Sequence, residues 1–158
     1  CIEIPRSGRF DAAAASALGL PVQTWNRLQK GETILWEDKE YAPDMVMGPP
    51  RKGIKVAYCT DTRPIDRIAD NAKGADLFIC EGMYAEPDKL AKAKQYKHMT
   101  FYEAAELAKK AEVKQMWLTH FSPSLIGAKG YMKDVKRIFE ESYLGEDGKM
   151  LELDFLEE

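Results

Sequence analysis

Two histidines, His98 and His120, are all the imidazole this chain holds. His120 closes the apolar stretch Met116-Trp117-Leu118-Thr119, after which the chain turns at once through Ser122-Pro123. Two further apolar stretches end on ionisable groups in the same way, residues 54–60 on Asp61 and residues 77–80 on Glu81. His98 stands just before Thr100-Phe101-Tyr102-Glu103, whose spacing is that of a helix capping box. Aspartate, glutamate and two histidines in one crevice form the vocabulary of a metal-assisted hydrolase. Singly, each has a plainer role. Asp61 beside Thr62 reads as a cap, Glu81 before Gly82 as a solvated turn residue, His120 as a hydrogen-bonded structural histidine, and His98 beside Lys97 as surface. Recurrence at three strand ends argues for a site, but two histidines and one aspartate are too few for a closed two-metal centre.

The elements that must position these groups alternate. Strands are expected at residues 54–59, 76–80 and 114–119. Between them, Thr62 and Pro64 supply the start of a helix running to Lys73 and stopping at Gly74, a polar helix covers residues 86–96, and the Thr100 box opens a helix with Ala104, Ala105, Leu107, Ala108 and Ala111 facing inward. A long helix over residues 130–143 and a last strand over 150–155 complete the expectation. This order implies βαβ units and a mostly parallel sheet, the α/β class, with ligand sites beyond the carboxyl ends of the strands. Residues 5–50 are looser: Asp11 caps a short alanine-rich helix ending at Gly19, a second turn surrounds Trp25 and Leu28, and residues 33–42 suggest a weak hairpin before Gly48-Pro49-Pro50 closes the segment.

Bulk properties narrow the setting. The 158 residues suffice for one domain, and a net charge of −3 gives no global pull toward nucleic acid or anionic lipid. No apolar run approaches the roughly 20 residues of a membrane span. Cys1, Cys59 and Cys80 are odd in number and contain no paired motif, which suits reduced thiols and a cytoplasmic protein. The opening Cys1-Ile2-Glu3-Ile4 reads like a strand entered partway, so a piece of something longer is expected.

Four segments then carry a resemblance. Tyr58-Cys59-Thr60-Asp61-Thr62-Arg63-Pro64 resembles the GDTRP segment of the ribonuclease Z family, tRNA 3′-processing endoribonucleases of the metallo-β-lactamase superfamily. Cys80-Glu81-Gly82-Met83-Tyr84 is similar to its HEATF segment, His98-Met99-Thr100 to its HST segment, and Thr119-His120-Phe121-Ser122-Pro123 to its THFSP segment. Order and intervals agree over essentially the whole chain, as a carboxyl-terminal half. The resemblance implies half of an αββα sandwich (residues 51–158) with a protruding arm (residues 1–50). It implies two zinc ions bridged by Asp61, one of them held by His120, with His98 supported by Glu81 assisting proton transfer to the leaving oxygen. It implies pre-tRNA as substrate, a homodimer when complete, and a partner half carrying the HxHxDH motif that supplies most metal ligands. In the arm, Arg6, Arg9, Arg27 and Lys30 become candidate phosphate contacts. The departures are Thr60 for the family's Gly, Cys80 for its His, Ser124 for a common Arg, and Leu20-Pro21-Val22-Gln23-Thr24-Trp25 in place of a Gly-Pro-rich arm tip; Trp25 there can serve packing instead. Two rival readings stand beside this one: a related hydrolase of small phosphodiesters or esters, and a non-catalytic α/β binding module whose strand-end groups only cap helices.

Overall fold

The computed structural model describes residues 1–156. In chain order the elements are strand β1 (Ile2–Arg6), helices α1 (Ala12–Ala17) and α2 (Val22–Gln29), strands β2 (Ile34–Trp36), β3 (Lys39–Tyr41) and β4 (Arg51–Cys59), helix α3 (Asp66–Ala72), strand β5 (Leu77–Glu81), helices α4 (Leu90–Tyr96) and α5 (Phe101–Lys110), strand β6 (Met116–Thr119), helix α6 (Met132–Ile138) and strand β7 (Ser142–Leu144). They fall into two compact units, Pro5–Gly53 and the remainder of the chain.

The larger unit is built on a five-stranded sheet in the order β1-β4-β5-β6-β7, with β4, β5, β6 and β7 successively parallel. Register follows hydrophobic alternation. Ala57, Phe78 and Met116 line up across the sheet, and Cys80 and Leu118 line up two residues further on, all turned toward the helices. Helix α5 packs there through Phe101, Ala104, Ala105, Leu107 and Ala108; the alanines let its backbone lie close to the strands. The opposite face carries the row Tyr58, Ile79, Trp117 and Tyr143, in register and on the side away from the helices. Tyr58 is 64% exposed, and Lys149 lies 4.5 Å over the Trp117 ring.

Three expectations need correction. Helix α3 starts at Asp66, not beside Thr62 and Pro64. The Thr62 N–H is taken by Glu81, Pro64 disfavours helical backbone at Arg63, and Ile65 is extended. The long helix of residues 130–143 is a 3-10 turn, Ala128–Tyr131, followed by the short α6, which ends as Phe139 turns extended. Residues 142–144 are instead recruited as strand β7, because β6 has an open edge to satisfy: Met116 N–H donates to Glu141 O at 2.8 Å. Residues 150–155 form no strand; they follow an irregular path.

The Pro5–Gly53 unit is less loose than its sequence suggests. Asp11 caps α1 by accepting from Ala14 N–H at 2.8 Å. Glu37 and Asp38, both left-handed (φ 48° and 60°), close the two-residue turn between β2 and β3, and that backbone matches the twist of a tight hairpin. Ala15, Leu20, Leu28, Ile34 and Val46 are buried together. Trp25 packs its ring 5.2 Å from Phe10 and donates its indole N–H to Leu20 O, so it serves this small core. Leu28→Ala is expected to cost about 2–5 kcal/mol of this unit's stability, read as lost hydrogen-exchange protection in α2.

Candidate metal centre

Because β4, β5 and β6 run parallel, their carboxyl ends reach one rim, and the three strand-end groups meet there. Asp61 Oδ1 lies 3.1 Å from His120 Nε2 and 3.9 Å from His98 Nδ1, and the two imidazole centroids are 5.4 Å apart. One donor atom from each of Asp61, His98 and His120 falls within 4.8 Å of the others, a set suited to a divalent metal ion. Backbone geometry sets these positions. Asp61 (φ 51°), His120 (φ 57°) and Lys97 (φ 63°), the residue before His98, all take the left-handed conformation. Such a conformation costs a non-glycine residue about 1–2 kcal/mol, so the surrounding contacts must hold it.

Those contacts converge on Glu81, whose side chain is fully buried. Its Oε1 accepts from Thr62 N–H, and its Oε2 accepts from Met99 N–H at 3.2 Å and faces His98 Nδ1 at 3.1 Å. An ionised carboxylate only accepts, so this contact places the His98 proton on Nδ1 and leaves Nε2 as its other nitrogen. The loop after β5 continues the stitching: Met83 N–H donates to Met99 O at 3.0 Å, Ser122 N–H to Met83 O at 2.9 Å, and Phe101 N–H to Tyr84 O at 2.9 Å. Gly82 must lack a side chain, since a Cβ there would lie 2.8 Å from Phe101 Cδ1 and 2.9 Å from Leu118 Cδ2.

Arg63 is the residue that sequence reasoning missed; it lies inside a quoted motif but had no role assigned. Its guanidinium donates to His98 O at 2.5 Å and to both carboxylate oxygens of Glu103. Glu103 also accepts from Thr100 N–H at 2.9 Å, completing the capping box of α5. The Asp61 loop and the His98 loop are thus tied twice, through Glu81 and through Arg63. Burial acts to raise the Glu103 carboxyl, yet the bonds from Arg63 and Thr100 hold it below its ordinary value of 4.5.

The four candidate phosphate contacts all lie in the Pro5–Gly53 unit. Arg9, Arg27 and Lys30 are exposed and Arg6 is half-buried; Arg27 Nε donates to Glu32 at 2.8 Å, which offsets its charge. No helix among the described residues is long and apolar enough to cross a membrane.

Residues 13–121 match the family described as a β-lactamase superfamily domain. The chain is 60% identical to ribonuclease Z of Agathobacter rectalis over 99% of its own length and 52% of the relative's. It is 57% identical to ribonuclease Z of Lachnospira eligens over the same shares. The chain therefore spans about half the length of the curated relatives it matches. Among solved structures, human tRNase Z, short form, superposes with a TM-score of 0.52 at 27% identity, covering 65% of this chain and 35% of that one.

The Arg63 tie carries a pH signature. A carboxyl whose folded pKa is depressed contributes stability that is fully present above its unfolded pKa and is lost as pH falls through the folded one. Arg63→Ala is expected to lower stability by about 1–3 kcal/mol near neutral pH through lost charge-assisted bonds. The gap from the parent chain should then narrow below pH 4.5, the ordinary value for Glu103. Denaturant titrations from pH 3 to pH 7 check both, and a gap that stays constant across the series would contradict the tie.

Proposed function

The chain belongs to the β-lactamase superfamily, and on that premise we propose that it is the carboxyl-terminal half of a ribonuclease Z, a zinc-dependent endoribonuclease that removes the 3′ trailer from pre-tRNA. The observation that carries the reading is the Asp61–His120–His98–Glu81 constellation, on a chain 60% identical to a ribonuclease Z.

The donor set fits a metal. Asp61 and His120 would hold it, since their donor atoms already lie 3.1 Å apart and neither side chain is buried. Bound zinc supplies a water of lowered pKa and stabilises the charge that develops on a phosphodiester. His98 keeps its Nδ1 proton on the Glu81 carboxylate, so Nε2 is the position that, once protonated to give the imidazolium, would hand a proton to a departing ribose oxygen. Glu81 fixes the tautomer and the ring orientation, and Arg63, by holding the His98 carbonyl, fixes the backbone beneath it.

Asp61 and His120 alone do not close a two-metal site, so the remaining ligands are assigned to a partner half bearing HxHxDH. The outward row Tyr58, Ile79, Trp117 and Tyr143 supports that half as a second sheet, because sandwich cores form between such faces. The segment from Pro5 to Met47, inside the Pro5–Gly53 unit, is assigned as the arm that holds the tRNA body. The cytoplasm is assigned as the compartment, supported by three free thiols, and a homodimer as the complete form.

The test is reconstitution with the partner half, assayed on pre-tRNA and on a chromogenic phosphodiester. Trailer removal supports the reading; turnover of the small ester alone would make the protein a different hydrolase of the superfamily. Within that enzyme, Asp61→Ala is expected to abolish turnover and reduce bound zinc together. His98→Ala should keep its zinc and bind substrate nearly as before while kcat falls about 10²–10⁴-fold, with less loss on substrates with better leaving groups. In the arm, replacing Arg9 and Lys30 with alanine is expected to weaken pre-tRNA binding and lower the salt slope by about 1 per contact removed. An unchanged slope would assign those side chains to solvent.

A further inference from the structure

The helix-side face of the sheet holds one reactive pair that the proposed chemistry does not use. Cys59 on β4 and Cys80 on β5 are register partners on adjacent parallel strands, with both side chains in the core on the helix side of the sheet. Neighbouring strands lie about 4.8 Å apart, inside the Cα separation of roughly 4.4–6.8 Å that a disulfide spans. Both thiols are free; Cys59 is half-buried and Cys80 is fully buried. Cys80 Sγ lies 3.7 Å from Met99 Sδ. The pair therefore sets a half-buried thiol, reachable by a small oxidant, beside a fully buried one on the neighbouring strand. Its place in the chain gives it leverage, because Cys59 is two residues before Asp61 and Cys80 is immediately before Glu81.

We propose that Cys59 and Cys80 form a peroxide-reactive dithiol whose disulfide acts on the rim bearing Asp61 and Glu81. The Cys59 sulfur attacks the peroxide: an S–O bond forms, the O–O bond breaks, and the released hydroxide leaves as water with the Cys59 proton. The Cys80 sulfur then attacks the Cys59 sulfur. The S–S bond forms, the S–O bond breaks, and hydroxide leaves as a second water with the Cys80 proton. Two thiols are oxidised and one peroxide is reduced. A disulfide prefers Cβ atoms about 3.8 Å apart, closer than neighbouring strands hold them, so the bond draws the ends of β4 and β5 together and is readily reduced.

The test is stoichiometric hydrogen peroxide on the full chain, then alkylation in denaturant, digestion and mass spectrometry. Alkylatable thiols should fall from three per chain to one, with a cross-linked peptide pair joining Cys59 to Cys80, lighter by two hydrogens and reversed by dithiothreitol. Cys1→Ser should still form the link, and Cys59→Ser should lose it while Cys80 stays alkylatable. Cys59→Ser changes a half-buried position, so it decides the matter even if a Cys80 variant fails to fold. Sulfinic acid at Cys59 with Cys80 still alkylatable would overturn the proposal, as would a link through Cys1. The linkage is read by mass alone, so its outcome is separate from that of the RNA-processing reading.

Discussion

A carboxylate with no exposure to water, Glu81, is the constraint on which the rim depends. An unpaired charge at that depth would cost several kcal/mol, so its partners must be in place for the fold to be stable at all. Those partners come from two other segments: the Thr62 N–H follows Asp61, and Met99 N–H and the His98 ring belong to the loop between α4 and α5. Satisfying one buried group therefore fixes the distance between two loops that each carry a functional side chain. The third, at His120, is fastened by Ser122 N–H to Met83 O and by Gly82 N–H to Thr119 O. The left-handed backbones at Asp61, Lys97 and His120 are held within this network. The strain is local, and the compensation is distributed.

The same logic separates what the sequence could tell from what it could not. The Thr100 capping box, the inward alanines of α5 and the strand-end positions of Asp61, Glu81 and His120 were legible, because each depends on spacing within a few residues. The convergence of the three strand ends was also legible, given only that the strands run parallel. Arg63 was not, since its partners lie 35 and 40 residues away and no local pattern announces them. Helix α3 begins late, at Asp66: Thr62, a plausible cap by sequence, is held by Glu81 through its N–H and turns its hydroxyl to Arg63 O. Residues 142 and 143 fall at the end of the helix expected over 130–143 but are taken, with Leu144, by an open sheet edge, a tertiary demand that outweighs local preference. In the Pro5–Gly53 unit, the small core was hidden because its apolar residues are few and spread over helices and a hairpin.

The division of labour among the four site residues follows from where each is anchored. Asp61 and His120 end strands with their side chains partly open to solvent, as groups awaiting a further partner do. His98 is only 19% exposed, and one of its nitrogens is committed inward. On the proposed reading, Asp61 and His120 would bind the cation and His98 would move the proton. The sheet face turned away from the helices and the incomplete donor set fit one account, in which a second half of similar build would complete both the core and the site.

The most direct test of that account is anomalous diffraction at the zinc edge from crystals of the reconstituted enzyme. Zinc within bonding distance of the Asp61 carboxylate and a His120 nitrogen, with His98 outside the coordination sphere and still on Glu81, is the predicted result. Zinc bound through a His98 nitrogen, or zinc that leaves Asp61 uncoordinated, would contradict it.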